Sequence, residues 1–408
     1  MRAESTAMTD DPRTAFYKDL EEMKSRFSAM QPELETAVRD PEMGVEGYVV
    51  VWNTGISIGG PMERAGKGGT RITPTLTLDE VKMLARTMAL KNAAAGLPLG
   101  GSKSGLKADP NEPGFEKKYR RFVKLCQPML RENGGPFGGF GFDIGGRPEH
   151  ALWACDELKS TTCFTGKPID MGGTDYDREG IAGLGVAVAA RALLDYKKID
   201  PARTGFAIQG MGAMGAAVLR YFSEYGAQIK FISDPKYDGT WEFENPPSKE
   251  LIHALSHQDT GTSMKLLERE AVKFSDMNRS ILTQEVDVLF PCALQNVITH
   301  ENATLINASI VVEGANGPVM DDARTTLYER GITVIPDFIA NPGGIIAAFV
   351  ELTSNAKNKA EEAKTLTRSK IAENVQTMMK MAEQFSVEPP HAGLYMALQR
   401  IFQGRPRV

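Results

Sequence analysis

Apolar residues recur at three- and four-residue spacing near the start of the chain. Phe16, Leu20, Met23, Phe27 and Met30 fall on one face, which predicts a helix over residues 14–38. Residues 47–57 (GYVVVWNTGIS) are rich in β-branched and aromatic side chains and predict a strand. Helical spacing returns over residues 78–94 at Val81, Leu84, Met88 and Ala89, with Thr77 as N-cap and Glu80 as its capping-box partner. Residues 134–146 (GGPFGGFGFDIGG) obey neither period. Seven glycines in thirteen residues suit a flexible linker, but three phenylalanines and an aspartate are interleaved, which predicts an ordered, site-forming loop.

The texture changes near Gly183. An alanine- and leucine-rich helix (186–196) precedes a strand at 205–209, a tight glycine turn, a helix to about 225 and a strand at 228–232. Further apolar runs at 286–290, 309–312 and 333–335 continue the alternation, which predicts a parallel sheet with right-handed crossovers. Residues 351–385 are polar and helix-forming and are expected to pack back across the first domain. The expected architecture is α/β: a substrate domain with a mixed sheet, a Rossmann-type dinucleotide-binding domain, and a cleft between them. The divisions expected are 1–185 for substrate binding and oligomerisation, 186–350 for the nucleotide, and 351–408 for helices returning to the first domain.

Composition narrows the function classes. With 42% hydrophobic and 24% charged residues, 408 residues suit two or three globular domains. A net charge of −5 gives no reason to expect nucleic acid. The first thirteen residues lack the apolar core of a signal peptide, Met8 is a second candidate start, and no run of about eighteen apolar residues predicts a membrane span. Cys126, Cys155, Cys163 and Cys292 form no CxxC pair, which fits a reducing compartment, the cytoplasm, and no zinc ribbon.

Gly210-Met211-Gly212-Ala213-Met214-Gly215 is a GxGxxG sequence that follows a strand and opens a helix, the context that gives it meaning. Gly210 allows the turn, Gly212 lets backbone approach a pyrophosphate, Gly215 lets helix and strand pack, and the phosphates sit at the helix N-terminus. Asp234, nineteen residues past Gly215, is placed to accept from ribose hydroxyls. That acid tips the choice to NAD; Lys236 could instead meet the 2′-phosphate of NADP. His253 and His257 share a helical face without the glutamate of HExxH, so a solvated helix is preferred over a metal site, and no metal is expected. Cys163 has no histidine nearby in sequence, and Met378, Met379 and Met381 are read as core or interface.

Lys103 lies in Gly100-Gly101-Ser102-Lys103-Ser104-Gly105, where glycines leave room for a substrate, and Lys91 ends an apolar helical stretch. With these residues the chain resembles the glutamate/leucine/phenylalanine/valine dehydrogenase family from about Gly47 to Glu351. The motifs come in order: Lys67-Gly68-Gly69-Thr70-Arg71, the ALKNAAAGLPLGGSKSG segment, Asp143-Ile144-Gly145, Thr165-Gly166-Lys167-Pro168, the glycine fingerprint, Pro291-Cys292-Ala293-Leu294, Glu313-Gly314-Ala315-Asn316-Gly317-Pro318, and Pro336-Asp337 leading to Asn341-Pro342-Gly343-Gly344.

The resemblance implies reversible NAD(P)-dependent oxidative deamination of an L-amino acid to a 2-oxo acid and ammonia. Lys91 would pair with the α-carboxylate, Lys103 would activate water, and Asp143 would shuttle protons to the nitrogen. Lys67, beside Gly68 and Gly69, would hold a side-chain carboxylate, and Ala293, Asn316 and Asn341 would lie by the nicotinamide ribose and substrate. It also implies a homo-oligomer, commonly a hexamer. Ala348 stands where glutamate-specific members carry a serine, Met88 is branched-chain-like, Phe140-Gly141-Phe142 replaces a proline-alanine approach to the aspartate, and Ala182 falls near a family threonine. An unpaired Lys67 would be costly, which points to an acidic or polar side chain and to glutamate first. A leucine-, valine- or phenylalanine-type enzyme, a non-catalytic nucleotide-binding regulator and a 2-hydroxy-acid dehydrogenase stay open as alternatives.

Overall fold

The computed structural model describes residues 11–274 and 280–403; the candidate start at Met8 lies outside them. Helix α1 (Pro12–Ala29) buries Phe16, Leu20, Met23 and Phe27, the face predicted by their spacing. It stops well short of residue 38, and β1 (Leu34–Asp40) follows. Pro32 cannot continue a helix and drives the residue before it toward an extended conformation, and the stretch beyond pairs antiparallel with β2 (Val45–Trp52). The second strand ends at Trp52 rather than 57, because Asn53 turns left-handed (φ 58°) into the short helical turn Thr54–Ser57.

Strands β3 (Gly66–Lys67) and β4 (Thr70–Thr73) run parallel to β5 (Gly100–Lys107), which pairs antiparallel with β2 to complete a five-stranded mixed sheet. Between them, helix α2 (Leu78–Ala94) covers one face through Val81, Ala85 and Ala89 against Tyr48, Val50 and Trp52. Helix α3 (Phe115–Cys126) packs Phe122 with Val49 and Val51 on the other face. Burial on both faces explains the unbroken apolar run at residues 48–52 within β2. Thr77 accepts from the Glu80 amide at 3.2 Å, as expected of the cap, but the Glu80 carboxylate goes to Arg71 at 2.8 Å instead of closing a capping box. The glycine-rich residues 134–146 bury Phe137 and Phe140 and supply β6 (Phe140–Gly141). After α4 (Pro148–Leu158), β6 finds its parallel partner in β7 (Phe164–Thr165).

Helix α5 (Ile181–Tyr196) leads into β8 (Gly205–Gln209), α6 (Ala213–Ser223) and β9 (Gln228–Asp234). Then come β10 (Gly239–Glu242), α7 (Lys249–Ser256), α8 (Thr260–Glu270), β11 (Val272–Lys273) and β12 (Val286–Pro291). The half ends with β13 (Ala308–Val312), α9 (Asp321–Glu329), β14 (Thr333–Ile335), α10 (Asp337–Ala340) and α11 (Gly343–Thr353). The sheet order is β11-β10-β9-β8-β12-β13-β14, with β9, β8, β12, β13 and β14 parallel as predicted and β10 and β11 added by antiparallel pairing at one edge. Strand order reverses between β8 and β12, the switch point where ligands settle on open α/β sheets. The polar stretch is two helices, α12 (Lys359–Phe385) and α13 (Pro389–Gln403). The last one reaches back to α1 and α2: Tyr395 stacks on Phe16 at 4.7 Å, and Arg400 donates to the Ala94 carbonyl at 2.7 Å. Met378 and Met379 are buried, as a core reading requires.

Candidate active site

Helix α2 and strand β5 approach closely because β5 carries glycine beneath the helix: a Cβ on Gly101 would stand 2.2 Å from the Ala85 carbonyl. That approach brings Lys91 on α2 and Lys103 on β5 into one pocket of about 190 Å³, with Asp143 and Lys67 in its wall. Gly68, Gly69, Met88, Asn341 and Ala348 line the same space, so every expected substrate residue meets there.

Lys103 is buried and its ammonium lies 3.0 Å from Asp143 Oδ2. The same oxygen accepts from Arg71 Nε at 2.9 Å. Burial pulls the Lys103 pKa down against the opposing pull of Asp143, with Arg71 and Lys91 adding to the depression. Burial pushes the Asp143 carboxyl up, but Lys103 and Arg71 outweigh it and hold it below the usual range. The pair therefore combines a lysine able to lose its proton with a carboxylate beside it, the requirement for moving protons at one carbon. Lys91 donates to Asn316 Oδ1 across the cleft at 2.9 Å, and burial lowers its pKa against Asp337 and Asp143.

Lys67 departs from expectation. It is not unpaired: its ammonium donates to the carbonyls of Gly68 (3.1 Å), Gly139 (2.9 Å) and Phe140 (2.7 Å). The glycine-rich loop supplies two of these carbonyls, so backbone oxygens, and not an empty apolar wall, surround the cation. Burial still takes its pKa down to about 7, opposed chiefly by Glu351.

A second cavity of about 470 Å³ shares Lys91 and Asn341 with the first and extends past Ala293, Asn316 and Met214. Asn341 donates to the Gly314 carbonyl at 3.1 Å, while its buried Oδ1 has no partner and is left for a ligand donor. In the fingerprint, Gly210 has φ +89° and a Cβ there would strike Ala293, whereas a Cβ on Gly212 would meet nothing within 4 Å. That open space lies at the start of α6, whose Gly212 N-cap makes no side-chain hydrogen bond, so backbone amides are free to receive a pyrophosphate. The residues present thus fit a dinucleotide. Asp234 accepts from the Met211 amide at 2.7 Å and the Lys236 amide at 2.8 Å. The Lys236 ammonium reaches over the turn to the Met211 carbonyl at 3.0 Å.

Arg71, Phe142, Thr165, Tyr176 and Glu351 were not assigned from sequence, yet they shape the pocket or hold its walls. Arg71 stands inside a quoted motif, and Glu351 is the lone acid in the apolar run of α11, which is a readable signal. The His253 and His257 rings lie tilted against each other with centroids 4.0 Å apart, and among the described residues no group of three or more His, Cys, Asp or Glu could hold a metal. Among those residues, too, no helix is long and apolar enough to cross a membrane.

Residues 172–405 match the Glutamate/Leucine/Phenylalanine/Valine dehydrogenase family, and residues 32–158 match the Glu/Leu/Phe/Val dehydrogenase dimerisation domain. The chain belongs to this family. It is similar to the glutamate dehydrogenase of Thermotoga maritima, 31% identical over 91% of this chain and 90% of that one. It is also similar to the NADP-specific glutamate dehydrogenase of Saccharolobus shibatae, 35% identical over 74% and 71%. Its fold matches the hetero-hexameric glutamate dehydrogenase of Thermus thermophilus (Leu bound form) with a TM-score of 0.73 at 22% identity, covering 98% of each chain. The protein is an NAD(P)-dependent amino-acid dehydrogenase that oxidatively deaminates an L-amino acid. This sets aside a dehydrogenase of 2-hydroxy acids.

Proposed function

We propose that the substrate is L-glutamate, converted reversibly to 2-oxoglutarate and ammonia, with NAD as the preferred cofactor. The carrying observation is the pair of cationic ends in one pocket: Lys91 with Lys103 at one, Lys67 at the other. Lys91 would exchange its bond to Asn316 for the α-carboxylate, and Lys67 would exchange its longest bond, to Gly68, for the side-chain carboxylate. The dinucleotide supplies the hydride acceptor when bound, held by residues 210–215, Asp234, Ala293, Asn316 and Asn341. Lys103, neutral, takes a proton from the water that attacks the imino carbon. Asp143 carries protons to and from the departing nitrogen, and Arg71 holds its carboxylate in place.

NAD is favoured because Asp234 ends β9 and the Lys236 ammonium is already engaged with Met211 and Gln258. A homo-oligomer, hexameric as the family resemblance implies, is supported by the matched dimerisation segment. The four cysteines are buried free thiols, which suits the cytoplasm. Support for the division near 185 and 350 comes from the two separate sheets and the returning α12 and α13, although the two points fall within α5 and α11.

A second reading, a neutral side chain, draws on Lys67's three carbonyl bonds and on Ala348, which brings no hydroxyl. Assaying all twenty L-amino acids with NAD⁺ and NADP⁺ separately decides between them. The expected result is the highest kcat/KM for L-glutamate with NAD⁺. A neutral amino acid ahead of glutamate selects the second reading, and no dinucleotide reduction with any amino acid overturns both.

A further inference from the structure

Glu351 lies on α11 one turn beyond Ala348 and is buried. Its Oε2 accepts from the Gly166 amide (3.0 Å), the Thr174 amide (3.1 Å) and the Thr174 hydroxyl (2.9 Å), and Lys167 binds its Oε1. Lys167 also donates to the Phe164 carbonyl at 2.5 Å. That carbonyl belongs to β7, whose residues Phe164 and Thr165 pair with Phe140 and Gly141 of β6. The Phe140 carbonyl on β6 is the nearest partner of Lys67. One two-residue strand pair therefore separates the Glu351 clasp from the Lys67 cage. Lys67 meets only neutral carbonyls in its hydrogen bonds, so two buried lysines share one buried carboxylate, an imbalance that buried charges tolerate poorly.

We propose that Glu351 is a positioning residue for substrate selection, setting the charge state of Lys67 while its direct bonds fix the wall carrying Thr165 and Ala348. The inference rests on the glutamate reading, in which the substrate carboxylate supplies the second negative charge. The groups that weigh most on Lys67 are Glu351 from α11, Lys167 from the loop after β7, Lys103 from β5 and Cys163 just before β7, while Asp143, Lys91 and Tyr176 line the same pocket. Of these, Glu351 most opposes the fall of the Lys67 pKa that burial imposes and that Lys167 and Lys103 deepen.

Glu351→Gln leaves two buried cations without a counter-charge, Lys167→Met leaves one lysine facing one carboxylate, and the double variant restores the single excess charge of the wild type. The pH dependence of KM for L-glutamate and for L-norvaline tests this. Glutamate KM should climb as Lys67 loses its proton, with the climb about one pH unit lower in Glu351→Gln, about one unit higher in Lys167→Met, and near wild type in the double variant. Norvaline KM should lack this climb. Shifts of one sign in both single variants, no shift, or equal shifts for norvaline would overturn the proposal.

Thermal midpoints with and without Lys67→Met, from about pH 6 to about pH 9, read the same ionisation without substrate. Because the folded-state pKa of Lys67 is depressed, its penalty to folding is fullest below that pKa, and the Lys67 protein should gain on its Met counterpart as pH rises. This gain should begin at lower pH in Glu351→Gln and at higher pH in Lys167→Met. If the wild type does not turn over glutamate, the substrate reading falls and these midpoints still decide the role of Glu351.

Discussion

Lys103 and Lys67 are both buried, and burial drags both pKa values down, yet the two ends of the pocket treat them differently. At the Cα end, Lys103 faces a carboxylate at 3.0 Å that Arg71 also holds, so a proton has somewhere to go. At the side-chain end, Lys67 is caged by three peptide carbonyls, which orient an ammonium but accept no proton. A lysine's partners, more than its depth, divide proton transfer from charge recognition. The carboxylate that most opposes burial at the second lysine, Glu351, lies across a strand pair and already has its own cation.

The largest effect that could break this contrast is at Lys103. Lys103→Ala should lower kcat by about 10³- to 10⁴-fold while dinucleotide affinity, followed by fluorescence titration, changes little. Turnover within tenfold of wild type would remove proton transfer from the Cα end. Asp143→Asn should cost about 10²- to 10³-fold in kcat and also move the pH profile. Asp143 raises the Lys103 pKa, and catalysis needs that lysine neutral, so activity rises as pH climbs through its pKa. Without the charge, the rising limb should shift to lower pH; a shift to higher pH would contradict the pairing. A smaller effect is expected outside the contrast, at Asp234: Asp234→Ser should improve NADP⁺ relative to NAD⁺ by about tenfold in kcat/KM with both ends of the pocket unaffected.

Much of this was legible in the chain. The parallel sheet, the fingerprint turn and the gathering of Lys91, Lys103 and Asp143 followed from period, spacing and motif resemblance. What was hidden depended on long-range geometry. The first helix overran into β1 because apolar spacing continued to Met30 while strand pairing with β2 took the residues beyond Pro32. Edge strands β10 and β11 are too short to announce themselves, at four and two residues. The cage at Lys67 is made of backbone carbonyls, which no side-chain pattern encodes, although the glycine density of residues 134–146 marked the loop that delivers two of them. Arg71 and Glu351 act through partners 72 and 184 residues away in sequence, distances over which spacing says nothing.

The most direct measurement is the kcat/KM ratio of L-glutamate to L-norvaline in wild type and in Lys67→Met. If the two ends are separate devices, the ratio should collapse by about 10²-fold or more in the variant while norvaline turnover is retained, since Lys103 and Asp143 are untouched. Equal losses for both amino acids, or an unchanged ratio, would contradict the division of labour between the two lysines.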